Sequence, residues 1–410
     1  MPRLRNRSFA LLIIAIMVGG LVFTSNLYFA EAQNGTNENG LINLDTAWTQ
    51  AKSPYNLLGP VDVINGVTLT IEPGVIVNFN DNYIQVDGVL EAIGSSDQQI
   101  YLNRGKIIFT SLSDKDNIES IIAHCVLNVY LEVTASPEII SNIITATVSV
   151  KGSCEILNNT IRNDILVLEG SPIISNNVIL NGQIKTYLGK AAGYLPEISN
   201  NSITGGGIAC YGANGYGGYA NISGNTLSSC QTAILAGDGT VERNYVWGNN
   251  VGIEIGNGVI ENNTIIDNLI GINIPKEQVY SSGFGELKKN PVILNNNIYG
   301  NTNFSIYSTV SNNVNATYNW WGTTDQQAIS QTIYDNKNDF TLGTVNFVPF
   351  LAAPNLQAPS LNVPTPTPNP SISPSPSVQE YPAITIVIVL ITILIAIFAI
   401  KEKENRQLNP

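Results

Sequence analysis

The 410-residue sequence predicts an all-β chain wound as a parallel β-solenoid, on the strength of one asparagine ladder and the apolar columns beside it. Asn142, Asn159, Asn177, Asn201, Asn225, Asn244, Asn263, Asn296 and Asn313 recur at intervals of 17, 18, 24, 24, 19, 19, 33 and 17 residues. Three residues before each stands Ile139, Ile156, Ile174, Ile198, Ile222, Val241, Ile260, Ile293 or Val310. Two residues after stands Ile144, Ile161, Ile179, Ile203, Leu227, Val246, Ile265 or Ile298, and only the last rung departs, with Asn315. A coil of this length cannot bury its apolar face alone, so successive coils stack on one continuous core.

The offsets say how each coil bends. Positions −3 and +2 differ by an odd number, so an uninterrupted strand would send them to opposite faces. A tight turn at the Asn returns both to the inside, and Asn tolerates the left-handed backbone such a turn needs. Stacked side-chain amides can hydrogen-bond along the axis. About nine residues past the Asn a further apolar strand recurs, as in Ala233-Ile234-Leu235, Gly252-Ile253-Glu254-Ile255 and Gly271-Ile272-Asn273-Ile274. Three short strands per coil is the expectation.

The ends read differently. Arg3, Arg5 and Arg7 precede an apolar run and Ala30-Glu31-Ala32, the pattern of a secretory signal over 1–32. Residues 33–353 are the expected solenoid, with caps near 45–80 and 316–351. The stretch 354–380 is rich in Pro, Ser and Thr and reads as an extended stalk. Within 381–400 the run Ala383–Ile400 is apolar except for Thr385 and Thr392, long enough to span a bilayer. Lys401, Lys403 and Arg406 then place the tail 401–410 in the cytoplasm. The expectation is a single-pass cell-surface protein with its ectodomain outside.

Without signal and tail, 28 acidic residues stand against 13 basic ones, which disfavours nucleic acid as a partner. Sequons at Asn34, Asn158, Asn200, Asn221, Asn262, Asn303 and Asn315 are candidates for glycosylation. Cys125 lies 17 residues before Asn142, with Ile122 at −3 and Leu127 at +2, and so reads as a buried first rung with Asn replaced. Cys210 and Cys230 fall in successive coils; spacing alone leaves their pairing open.

The stretch Thr68-Leu69-Thr70-Ile71-Glu72-Pro73-Gly74-Val75-Ile76-Val77-Asn78-Phe79, with Ile84 to Ala92, resembles the opening coils of extracellular right-handed parallel β-helix proteins. Asn319-Trp320-Trp321-Gly322, Ile333-Tyr334-Asp335 and Val345 to Leu351 resemble the closing cap of the same group. The repeats between are similar to those shared by carbohydrate-binding proteins and sugar hydrolases of the pectate-lyase-like superfamily. With stalk and span, the whole resembles an archaeal-type cell-surface protein. The resemblance implies a right-handed parallel β-helix of roughly a dozen coils, followed by a transmembrane α-helix. Such repeats host lyases, hydrolases, adhesins and scaffolds alike, so the site must decide function.

Chemistry along the solenoid is sparse. His124, the one histidine, directly precedes Cys125 and reads as a rung residue. Glycoside hydrolysis needs two carboxylates. Glu242 and Glu261 share position −2 in adjacent coils, and Glu138 and Glu155 share −4. Arg162, Lys185, Lys190, Arg243 and Lys276 sit in no lyase-like motif. The longer coils carry their extra residues within 184–195, 205–219 and 275–290, all after the third strand. These bring Tyr187, Tyr194, Tyr211, Tyr216, Tyr219, Tyr280 and Phe284 to one edge, around the shorter coils of Asn225 and Asn244. The expected site is a groove with Tyr216, Tyr219, Tyr280 and Phe284 as stacking faces and Asp238, Glu254 and Asn257 as hydrogen-bonding groups. No cofactor is expected, except that the two acids of this groove, Asp238 and Glu254, could hold a Ca²⁺ ion. Trp320 and Trp321 are expected to cap the terminal core. The preferred function is a non-enzymatic surface protein that binds an extracellular glycan or other envelope proteins; the alternative is a polysaccharide lyase or glycoside hydrolase.

Overall fold

The computed structural model describes residues 35–113, 119–188, 193–211, 218–276 and 291–360. The expected signal, most of the stalk and the membrane span lie outside these residues. Among the described residues no helix is long and apolar enough to cross a membrane.

Strands of one coil pair with those of the next, in parallel and in register. The strand before each asparagine turn belongs to a 14-stranded sheet, and the two strands after it to a 23-stranded sheet. In the coil of Asn159 these strands are Glu155–Leu157, Thr160–Ile161 and Ile165–Val167. Each pairs with its counterpart one coil on, Glu155 with Ile173, Thr160 with Val178 and Ile165 with Ile184. This is an all-β solenoid, with the long parallel sheets and near absence of helix of a parallel β-helix.

Three aliphatic columns fill the inside. Ile139, Ile156, Ile174, Ile198 and Ile222 form one; Ile144, Ile161, Ile179, Ile203 and Leu227 the second; Val148, Ile165, Ile184, Ile208 and Ile234 the third. All are at most 1% exposed. β-Branched side chains suit stacked strands because their χ1 is already restricted. Each fully buried one contributes about 1.5–3 kcal/mol of transfer free energy.

The corner between the first and second strands is built by two residues. The residue at −1 takes the left-handed backbone: Ser141, Asn158, Asn176, Asn200, Arg243, Asn262, Asn295 and Tyr318 have φ between 52° and 58°, and Gly224 has φ 66°. The sequence reading assigned that conformation to the ladder Asn itself. The ladder Asn instead points inward, where its amide closes the corner. The Asn244 Oδ1 accepts from Asn225 N at 2.9 Å and Asn225 Nδ2 at 3.0 Å. Its Nδ2 donates to Ile222 O, Glu242 O and Asn263 Oδ1, each at 3.0 Å. The same pattern links Asn142, Asn159, Asn177, Asn201, Asn225, Asn244, Asn263 and Asn296.

Asn313 stands apart from this chain of bonds. It is exposed, and its Oδ1 accepts from Thr344 N. The last rung is Asn319, which accepts from Asn296 N at 2.8 Å and donates to Ile293 O at 2.7 Å. Its −3 and +2 neighbours are Ala316 and Trp321, both buried. At the other end Cys125 takes the rung position, its N donating to Asn142 Oδ1 at 2.9 Å, with exposed His124 at the corner (φ 53°).

A second ladder, absent from the sequence reading, closes the corner between the second and third strands. Cys230 N donates to Asn249 Oδ1, Asn249 N to Asn268 Oδ1 and Asn268 N to Asn301 Oδ1, at 2.8–3.1 Å. Ser229, Gly248, Asp267 and Gly300 supply its left-handed corners.

The first coil stacks Trp48 on Tyr55 with ring centroids 4.8 Å apart. At the C-terminal end Trp321, 6% exposed, meets Phe347 edge-on, and a short helix, Gln326–Gln331, follows with Asp325 as its N-cap. Trp320 is half-buried and joins the sheet through its backbone, as acceptor from Ile298 N and donor to Asn296 O. None of the four cysteines forms a disulfide, Cys210 and Cys230 included, and all are buried. Desolvation pushes the Cys125 thiol far above its ordinary range and the Cys210 thiol up to about 11.

The segment 354–360, expected to open the stalk, packs against the solenoid instead: Asn355 N donates to Asn297 Oδ1 at 2.8 Å and Asn297 Nδ2 to Asn355 O at 3.1 Å.

Replacing Asn244 with Leu strips partners from two buried donors and two carbonyls, so denaturant unfolding should show a loss of about 3 kcal/mol or more. Asn313→Leu should cost about 1 kcal/mol or less. Equal losses would contradict the ladder's ending at Asn319.

Candidate functional site

Outward-facing side chains inherit the register of the core, so each forms a straight row from coil to coil. On the third strand one such row runs Leu166, Lys185, Ala209, Leu235, Glu254, Asn273, Tyr307, Tyr334. Continuing the register two residues further along the chain gives Tyr187, Tyr211, Gly237, Gly256 and Pro275, the row at the edge where the third strand turns toward the next coil. Tyr211 N donates to Thr186 O and Asn257 N to Gly237 O, which fixes this alignment.

The edge is therefore an aromatic step beside a bare floor. Tyr187 and Tyr211 stack with ring centroids 5.6 Å apart and planes at 26°. Tyr187 remains 42% exposed. Next in the row come Gly237, directly before the strand Asp238–Glu242, and Gly256, which opens the bend Gly256-Asn257-Gly258. Gly258 has φ 110°, and a Cβ there would lie 2.3 Å from Gly239 O, so only glycine fits. A shallow pocket of about 70 Å³ opens here, lined by Cys210, Leu235, Gly237, Glu254, Gly256 and Pro275.

Polar groups lie along the third-strand row on both sides of this floor. Glu254 accepts from Asn273 Nδ2 at 2.8 Å. Lys185 donates to Asp164 Oδ2 at 2.7 Å, and both residues are half-buried. The carboxylate hydrogen bond holds the Lys185 ammonium above the ordinary lysine range, against the opposing effect of burial. At the far end of the row Phe304, Tyr307 and Tyr334 cluster, with Tyr307 and Tyr334 centroids 4.6 Å apart.

Of the residues expected to form a groove, Tyr216, Tyr280 and Phe284 lie outside the described residues. Tyr219 is half-buried in the strand Tyr219–Ser223, paired in register with Asp238. Asn257 is half-buried on the glycine floor, and Glu254 lines the pocket. Residues 189–192, 212–217 and 277–290, outside the described residues, each fall in the sequence between a third strand and the next first strand. The two short connections between them are Gly237 alone and Gly256-Asn257-Gly258. Tyr187 and Tyr211 were legible as edge aromatics but not as a stacked pair, because their alignment depends on the register of the third strand.

The carboxylate pairs are in register, Glu242 opposite Glu261 and Glu138 opposite Glu155. Arg243 bridges Glu242 at 3.2 Å. Among the described residues no group of three or more His, Cys, Asp or Glu is placed to hold a metal ion. Five sequon asparagines, Asn158, Asn200, Asn221, Asn303 and Asn315, are exposed; Asn262 is half-buried and Asn34 is outside the described residues.

A raised lysine pKa contributes stability that is complete below the unfolded value, about 10.4, and is lost as pH rises through the folded one. Stability should therefore fall above about pH 10 in the wild type, and Lys185→Met should flatten that decline in a pH series of denaturant unfolding. An identical slope in both proteins would contradict the Asp164 assignment. No family model matches the chain, and comparison with curated proteins and with solved structures found no match.

Proposed function

We propose that this chain is a glycan-binding β-helix displayed on the outside of the cell, without catalytic activity. The observation that carries the reading is the in-register passage from the Tyr187–Tyr211 stack to the floor of Gly237 and Gly256. Aromatic faces stack on the apolar faces of sugar rings, and missing side chains let a flat ring approach the backbone. Glu254, Asn257 and Asn273 border the floor as partners for hydroxyls. The winding is read as right-handed, since connections between parallel strands of one sheet take that hand in about 98% of cases. Residues 1–32 supply export, and 381–400 the membrane anchor. Enzymatic cleavage of a polysaccharide is the lesser reading, because Glu242, one member of the aligned carboxylate pair nearest the edge, is bridged to Arg243.

Titration of the purified protein with the glycan it retains on an array tests the site. Tyr211→Ala should weaken binding about tenfold through loss of a stacking face. Gly256→Val should weaken it by filling the floor. Unchanged affinity in both variants would refute this site, and release of reducing ends by the wild type would favour the enzyme.

Topology has its own test. Protease added to intact cells should release a soluble fragment by cutting within 361–380, beyond the docked segment. Cleavage only after lysis would reverse the orientation.

A further inference from the structure

Three sequons occupy the same corner in different coils: Asn158-Asn159-Thr160, Asn200-Asn201-Ser202 and Asn262-Asn263-Thr264. In each, the first Asn is the left-handed corner residue, the second is a ladder rung, and the hydroxyl opens the second strand. The three should therefore present equivalent surfaces. Two do: Asn158 and Asn200 are exposed, and Thr160 and Ser202 are half-exposed. The third does not, since Asn262 is half-buried and Thr264 is only 3% exposed.

The cause is the segment 354–359. Asn355 Nδ2 donates to Asn262 Oδ1 at 2.9 Å and also to Asn295 O, the corner residue one coil on. Thr264 Oγ1 donates to Pro359 O at 2.5 Å. Both recognition groups of the sequon, the Asn262 amide and the Thr264 hydroxyl, are thus engaged by one strap. Asn355 holds the strap through its exchange of two bonds with Asn297, and its Oδ1 accepts from Gln357 N at 3.0 Å.

We propose that residues 354–359 form a strap that closes the Asn262 sequon, so that the docked strap and an N-linked glycan on Asn262 exclude each other. The proposal rests on the reading that the solenoid is exported past a glycosylating machinery. Transfer would form a bond from Asn262 Nδ2 to C1 of a sugar supplied as a lipid-linked diphosphate. The C1–O bond to phosphate breaks, the carrier leaves as the diphosphate, and the amide proton is released. A glycan so placed fills the space now taken by Asn355. Modification before the strap docks leaves residues 354–359 undocked; docking first leaves Asn262 unmodified.

The full chain, made in a secretory host that adds N-glycans, decides this by glycopeptide mass spectrometry and hydrogen exchange on the same molecules. One supporting result is low occupancy at Asn262 against Asn200, rising to the Asn200 level in Asn355→Ala. The other is an occupied Asn262 whose molecules exchange the Asn355, Gln357 and Ala358 amides about tenfold or more faster than molecules carrying Asn262→Asp, which keeps the acceptor oxygen and cannot be modified. An occupied Asn262 with a fully protected strap would overturn the exclusion. Equal, low occupancy in wild type and Asn355→Ala would overturn the strap as its cause. Neither of these results bears on glycan binding at the tyrosine step, so the two readings fail separately.

Discussion

The buried side-chain amide of asparagine has two donors and an oxygen with two lone pairs, and this structure uses both functions at the first corner of each coil from Asn142 to Asn319. Sharp corners expose backbone groups that strand pairing cannot reach, and inside a solenoid water cannot reach them either. One Asn per coil solves this by accepting from the rung before it, donating to the rung after it, and donating to nearby carbonyls. The bonds run along the axis, so each coil fixes the position of the next. At the ladder's head Cys125 keeps the backbone bond to Asn142 and donates its thiol to Ala92 O and Ala123 O, and Asn319 ends the ladder against the cap.

Register is the consequence, and function follows from register. Because the interior is fixed by aliphatic columns and two asparagine ladders, an outward residue can change without disturbing the coil that carries it. A row such as Tyr187, Tyr211, Gly237, Gly256 is thus a linear surface with one position per coil, about 4.8 Å apart. Two rings followed by two glycines make a step and a floor at that spacing. The corner column does the same for Asn262 and Asn295, which Asn355 spans in a single side chain.

Much of this was legible in the sequence, for a physical reason: a stacked repeat writes its tertiary contacts as a local pattern. Ile-x-x-Asn-x-Ile recurs because the three inward positions of one corner have one environment. The pattern misled at Asn313, where Val310 imitates the −3 position, because the true last rung is flanked by Ala316 and Trp321. There one large ring fills what two aliphatic side chains fill elsewhere. The second ladder escaped notice because it has three asparagines headed by Cys230, too few rungs to stand out in an Asn-rich chain. The strap was unreadable for a different reason. Pro354-Asn355-Leu356-Gln357 has the composition of a linker, and its docking depends on Asn297 and Asn262, residues 58 and 93 positions away.

Exchange of the ladder's own side-chain amide protons, followed by NMR with Asn225 and Asn244 assigned, tests the central claim most directly. The account predicts that their Nδ2 protons exchange as slowly as the backbone amides of the core strands, because both are released only when coils separate. Nδ2 protons that exchange freely while the core strands stay protected would contradict it.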